Sequence, residues 1–146
     1  MSNKNIFIFG GTGSIGKSLS KKLKSNNYDP IIISRNETEL KQLSEEIGCE
    51  YKVCDVLDFD KVKSISEEYN DRLCGIAFCV GSINLKPLKM TKDEDFIDSF
   101  KINTLSAINA IKFNQETLAK NNGSILLYIS SGFLCSFFYN KATKTS

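Results

Sequence analysis

Histidine is absent from all 146 residues. That gap removes Ser-His-Asp and Cys-His catalysis, together with the common zinc arrangements that use imidazole. Proline occurs twice, and no proline-rich linker, repeat or low-complexity tract divides the chain. No run of about 18 apolar residues occurs, so no membrane-spanning helix is expected. The five cysteines (Cys49, Cys54, Cys74, Cys79, Cys135) are odd in number and form no C-x-x-C pair. Cys54 and Cys79 fall in apolar runs, where a free thiol behaves as a small hydrophobe. A reduced, cytoplasmic protein is the expectation. The net charge of +2 comes from 19 basic residues that are scattered rather than striped, so no nucleic-acid footprint is expected.

What is present is an alternation of short apolar runs with polar segments of helical period, at a length suited to one domain. Asn5–Gly10 reads as a strand and Ser14–Asn26 as a helix with Ile15, Leu19 and Leu23 on its inner face. Pro30–Ser34 is a second strand, opened by a proline where a strand tolerates one. Asn36 caps the next helix, which buries Leu40, Leu43 and Ile47 and closes at Gly48. Glu50–Cys54 alternates polar and apolar residues, as an edge strand does, and Asp58–Tyr69 is helical through Val62 and Ile65. Gly75–Val80 is continuously apolar, hence a central strand buried on both faces. One long helix is predicted from about 92 to 120, with Phe96, Phe100, Ala107 and Ile111 along one stripe and Ile97, Leu105 and Ile108 beside it. Ser124–Ile129 is the fifth strand. This order predicts an α/β protein with a parallel sheet and helices on both faces.

The stretch with most chemistry is Gly10-Gly11-Thr12-Gly13-Ser14-Ile15-Gly16-Lys17-Ser18, directly behind the first strand. A strand that enters a glycine-rich turn and then a helix lets backbone approach a diphosphate, with helix N–H groups aimed at it. Two fingerprints fit the same residues. Gly11-x-Gly13-x-x-Gly16 is a dinucleotide pattern, and Gly11-x4-Gly16-Lys17-Ser18 is a nucleoside-triphosphate loop. The triphosphate reading needs a strand-ending aspartate for magnesium. Asp55 is the one candidate, and Lys52 interrupts the run before it. The dinucleotide reading looks to the end of the second strand, which approaches the adenosine ribose. There stand Ser34, Arg35 and Asn36, with no acid before Glu37. A guanidinium makes forked, charge-assisted bonds to phosphate, so NADP(H) is preferred over NAD(H). Arg35 as a plain surface arginine is the bland alternative.

The order of these motifs resembles the short-chain dehydrogenase/reductase family, from Asn5 to about Ser131. The resemblance implies a three-layer, Rossmann-like doubly wound sheet of strand order 3-2-1-4-5. It implies a dinucleotide held by Gly10, Thr12, Gly13, Ser14, Ile15 and Gly16, by Ser34, Arg35 and Asn36, by Asp55 and Val56, and by Val80 and Gly81. Ser14 stands where many members have glycine. Asp55 corresponds to an aspartate that contacts the adenine amino group. Cys79-Val80-Gly81 replaces the family's Asn-Ala-Gly turn and keeps its glycine alone. Asn103 matches an asparagine that holds a water in the proton relay, the alternative being a polar residue on a solvent face. Ser131 matches the catalytic serine ending strand five. Small carbonyl or alcohol substrates follow from the family, as does pairing of the 92–120 helix with its copy in a second subunit. No metal is implied.

The family continues with a Tyr-x-x-x-Lys pair, in which tyrosine gives the proton and lysine lowers its pKa. Here Tyr139 is followed four places later by Thr143, with Lys144 one position late. The expectation is a dinucleotide-binding domain over 1–131 and an irregular tail over 132–146. The family's later strands and helices are expected to be missing and catalysis impaired. Three functions stay open: an NADP(H)-dependent oxidoreductase, a non-catalytic nucleotide-binding or interaction module, and a nucleoside triphosphatase.

Overall fold

Alternate residues of the inner strands point to opposite sides of one sheet, and each side meets its own helices. The computed structural model describes residues 4–82 and 87–128. Ser131, Tyr139, Lys144 and the expected tail of 132–146 lie outside the described residues, as does the expected domain boundary. The elements run β1 (Asn5–Phe9), α1 (Ser14–Ser25), β2 (Asp29–Ser34), α2 (Glu37–Ile47), β3 (Glu50–Val53), α3 (Phe59–Glu68), β4 (Leu73–Phe78), α4 (Asp93–Phe100), α5 (Ser106–Lys120) and β5 (Ser124–Leu127). The strands are all parallel, in the order β3-β2-β1-β4-β5. This is the Rossmann-like arrangement that the resemblance implies.

On one face Phe7, Phe9, Ile31, Ile33, Ile76 and Phe78 pack with Val62 and Ile65 of α3 and with Ala107, Ala110 and Leu118 of α5. On the other, Ile8, Ile32 and Ala77 meet Leu40 and Leu43 of α2, with Leu19 and Leu23 of α1 against them. Parallel register sets Phe7 beside Ile31 and Phe9 beside Ile33, so large side chains share a face. Burial on both sides is why these strands read as unbroken apolar runs. Helix ends follow their capping residues. Asn36 Oδ1 accepts the Glu39 N–H (3.3 Å), and Gly48 takes φ 71° to end α2. Asp58 Oδ1 accepts the Lys61 N–H (3.1 Å) to start α3.

Two helical faces differ from expectation. Ile15, placed inward by its spacing, is 39% exposed, and the small Gly16 and Ser20 face the sheet instead. A helix whose first turn lies this close to the turn after β1 has no room there for a branched side chain. The predicted single helix from 92 to 120 is present as one unbroken helical run from Asp93 to Lys120, with a π turn over Lys101–Leu105 within it. Its buried positions are Ser99, Ser106, Ala107, Ala110, Asn114, Thr117 and Leu118, while Phe96 and Phe100 are 42% and 54% exposed. Polar groups on the inward stripe find partners inside the fold. Asn114 Nδ2 donates to Ser66 Oγ and to the Ala110 carbonyl, both at 2.8 Å, and Ser106 Oγ donates to the Ile102 carbonyl (2.6 Å). A stripe drawn from apolar residues alone misses them. Among the described residues β5 pairs with β4 alone, and Ile125, Leu126 and Leu127 are exposed.

Candidate dinucleotide site

The carboxyl ends of β1, β2, β3 and β4 open onto a cleft of ≈ 490 Å³. It lies where the strand order reverses, the place where open α/β sheets bind ligands. Gly10, Thr12 and Gly13 line it from the first turn. Ser34 and Arg35 line it from the end of β2, Asp55 and Val56 from beyond β3, and Val80 and Gly81 from beyond β4. Six further lining residues were not among the expected dinucleotide-binding residues: Ile33, Cys54, Leu57, Cys79, Ser82 and Ile102. Most sit next to an expected residue at a strand end, which is the signal that could have found them. Ser14, Ile15, Gly16 and Asn36 do not line the cleft.

The turn is shaped by contacts that only glycine allows. Gly10 has φ +76°, and a Cβ there would stand 2.8 Å from the Cys79 carbonyl oxygen. A Cβ on Gly16 would lie 2.3 Å from the Gly10 carbonyl oxygen, so α1 begins against the backbone of β1's turn. Gly13 caps α1 with no side chain, and no acid occupies the first turn of that helix. The other free-standing helix starts are neutralised: α2 has Asn36, Glu37 and Glu39, α3 has Asp58 and Asp60, and α4 has Asp93, Glu94 and Asp95. The first intrahelical bond of α1 joins Lys17 N–H to Gly13 O (2.8 Å). The N–H groups of Ser14, Ile15 and Gly16 come before it and have no acceptor within the helix. An uncapped, positive helix end beside a cleft is suited to a diphosphate.

The same geometry disfavours a triphosphate loop. Ser14, Ile15 and Gly16 are already helical, so no open loop remains to wrap a phosphate chain. Lys17 Nζ is turned to Glu46 Oε2 of α2 (3.0 Å). Lys21 and Lys17 together hold the Glu46 carboxyl below its usual range. The carboxylate that faces Lys17 is thus engaged by two ammonium groups.

Around the rim, Thr12 Oγ1 and Ser34 Oγ are hydrogen-bonded (3.0 Å), tying the first turn to the end of β2. The Arg35 side chain is 79% exposed, with Nη1 4.0 Å from Asp55 Oδ2. Asp55 Oδ1 accepts the Leu57 N–H (2.9 Å). Asn36 is committed to the helix cap and to Glu39 Oε1 (3.0 Å). Asn103 sits in the π turn, half-buried rather than on a solvent face. Its Oδ1 accepts the Ser82 N–H (2.8 Å), and its Nδ2 donates to the carbonyls of Ser82 (3.0 Å) and Ser99 (2.9 Å). It clips the loop after β4 to the α4–α5 helix. Burial pushes the Cys54 thiol up to about 11 and raises that of Cys79, so neither cysteine of the cleft is an activated nucleophile.

A sequence model described as short chain dehydrogenase matches residues 4–137. Carbonyl reductase family member 4 of Xenopus tropicalis is 26% identical over 128 residues, covering 85% of this chain and 54% of that protein. The 3-oxoacyl-[acyl-carrier-protein] reductase of Mus musculus is 28% identical over 129 residues, covering 85% and 55%. Among solved structures, a short-chain type dehydrogenase/reductase from Mycobacterium ulcerans superposes with a TM-score of 0.81 at 18% identity, covering 90% of this chain and 52% of that one. The chain therefore spans about half the length of the curated relatives it matches. Strand order, the glycine turn against β4's loop and the matched 4–137 stretch agree: the chain belongs to the short-chain dehydrogenase/reductase family of oxidoreductases.

Proposed function

We propose that this chain binds NADP(H) in preference to NAD(H), as the coenzyme half of an oxidoreductase acting on a small carbonyl or alcohol. The observation that carries it is the uncapped start of α1 at the cleft, flanked by Arg35 with no acid at the end of β2. When bound, the coenzyme supplies or accepts a hydride. The chain's own part is to hold it: helix N–H groups of α1 toward the pyrophosphate, Arg35 and Ser34 toward the 2′-phosphate, and the Asp55 carboxylate toward the adenine amino group. Asn103 positions the loop that carries Val80, Gly81 and Ser82.

One charge-assisted bond contributes about 1.5–3 kcal/mol, roughly ten- to a hundredfold in affinity. Calorimetric titration is expected to show NADPH binding tighter than NADH by about that factor. Arg35→Ala should remove the difference. Equal affinity in the parent chain, or a magnesium-dependent shift with ATP instead, would overturn the reading.

A second reading, binding without turnover, is favoured by one fact of sequence. None of the five tyrosines is followed four places later by lysine. The residues present thus lack the proton donor that the family uses, and Asn103 and Ser131 do not replace it. Reduction of a carbonyl panel by this chain with NADPH is expected to stay at background; turnover comparable to that of longer relatives would refute impairment. Self-association belongs to the same proposal, through the exposed Ile97, Phe100 and Ile108 of the 92–120 segment. Sedimentation should show dimers, and a monomer at high concentration would count against it.

A further inference from the structure

Arg35 and Asp55 meet across the cleft with their charges facing, at the outer edge of ion-pair distance: Nη1 to Oδ2 is 4.0 Å. The other carboxylate oxygen of Asp55 is occupied by its own turn, accepting the Leu57 N–H at 2.9 Å. One oxygen, Oδ2, therefore serves two possible donors: the guanidinium already beside it, or a donor group of a ligand in the cleft. A carboxylate is acceptor-only, so the ligand group it would take is an N–H or O–H. An exposed ion pair at this distance is weak and salt-screened. A dianionic phosphate can draw the guanidinium away by forked bonds that a single carboxylate oxygen cannot match.

We infer that Arg35 and Asp55 form a selector that couples recognition of the 2′-phosphate to recognition of the adenine amino group. This rests on the proposal that the cleft takes a nicotinamide dinucleotide. With a 2′-phosphate present, Arg35 turns to it and Oδ2 is released to accept the 6-amino N–H. With no 2′-phosphate, Arg35 stays on Oδ2 and the amino group loses its partner. Preference for the phosphorylated coenzyme then exceeds what the Arg35–phosphate bond alone supplies. It also depends on a group on the far side of the adenosine from the phosphate.

Four coenzymes test this in one calorimetric cycle: NADP+, NAD+ and their deamino analogues, in which a carbonyl replaces the 6-amino group. Loss of the amino group is expected to weaken the phosphorylated coenzyme about tenfold, the size of one charge-assisted bond, and the unphosphorylated one by less than about twofold. Asp55→Asn keeps an acceptor oxygen for Leu57 but replaces Oδ2 by a donor, and it should reduce both ratios to near one. Arg35→Ala leaves Oδ2 free in every complex, and it should make the two ratios equal and both large. Both side chains stand at the surface, so neither variant threatens the fold. Equal ratios in the parent chain, or a larger ratio for NAD+, would overturn the coupling while leaving dinucleotide binding intact. Failure of all four coenzymes to bind would overturn the proposed function and the coupling with it.

Discussion

Replacing Gly16 with valine will abolish dinucleotide binding and destabilise the fold by about 3 kcal/mol, the upper end of overpacking costs. A Cβ at this position stands 2.3 Å from the Gly10 carbonyl oxygen, 2.8 Å from Gly11 Cα and 3.0 Å from the Gly10 carbonyl carbon. All three are backbone, so no rotamer change relieves the contact. The Gly10 carbonyl also accepts the Gly13 N–H (3.1 Å), the bond that aims the start of α1. Pushing that oxygen away moves the helix N–H groups from the cleft, and both stability and affinity fall together. Even alanine, which gains about 1 kcal/mol of helix propensity over glycine, meets the same oxygen with its first carbon. A melting temperature lowered by roughly 10 °C is the expected reading for valine. Gly13→Ala is the control. Its Cβ meets nothing nearer than Gly10 O at 3.3 Å, and its φ of −68° suits any residue. It should keep the fold to within about 1 kcal/mol. If Gly16→Val melts like the parent chain, the turn is not held by this contact.

The strand run, helix caps and glycine turn were legible because each rests on a local rule. Buried parallel strands carry Ile31-Ile32-Ile33 or Ile76-Ala77-Phe78 whatever lies above them, and Asn36 and Gly48 mark helix ends by their own chemistry. Arg35 was legible because strand order alone brings the residue after β2 to the cleft. What stayed hidden depends on which elements become neighbours. Ile102 reaches the cleft from a helix because the segment passes over β4's loop, where Asn103 holds Ser82 from both sides. The inward stripe of α4 and α5 was hidden because polar members find partners inside the fold, Asn114 at Ser66 and Ala110 and Ser106 at Ile102. Hydrophobic spacing favours Phe96 and Phe100, which the fold leaves at the surface. Packing distance decides here: small side chains let a helix lie close to a sheet whose own residues are phenylalanine and isoleucine.

That division of labour puts Phe9 where core packing meets the glycine turn. Phe9→Ala is expected to destabilise the chain by about 3–5 kcal/mol, the cost of removing a buried ring and leaving its cavity. The side chain is 1% exposed and stands last in β1, one residue before the turn. Its ring lies 5.6 Å from that of Phe78 and 6.0 Å from that of Phe7, whose ring in turn meets Tyr69 edge-on at 5.1 Å. Tyr69 closes the row by donating its hydroxyl to Glu50, between Lys52 and Arg72 at 5.5 and 5.3 Å from its ring. Burial, with the Glu50 bond added, pushes its phenol well above the usual range. The row braces β1 from the edge strand to the cleft, and the Phe9 carbonyl ties β1 to β4's loop by accepting the Cys79 N–H (2.9 Å). Loss of the ring is therefore expected to act on the site as well as on stability, because Phe9 immediately precedes Gly10 and its backbone holds the loop after β4. Urea unfolding should show the lost midpoint, and NADPH at a hundredfold excess over its Kd should restore no more than about 2.7 kcal/mol. Phe9→Leu, which fills most of the space, should cost under about 1.5 kcal/mol and keep the coenzyme affinity of the parent. If Phe9→Ala costs less than about 1 kcal/mol, or leaves affinity untouched once the folded fraction is corrected for, β1 is braced from elsewhere and the turn does not depend on this row of rings.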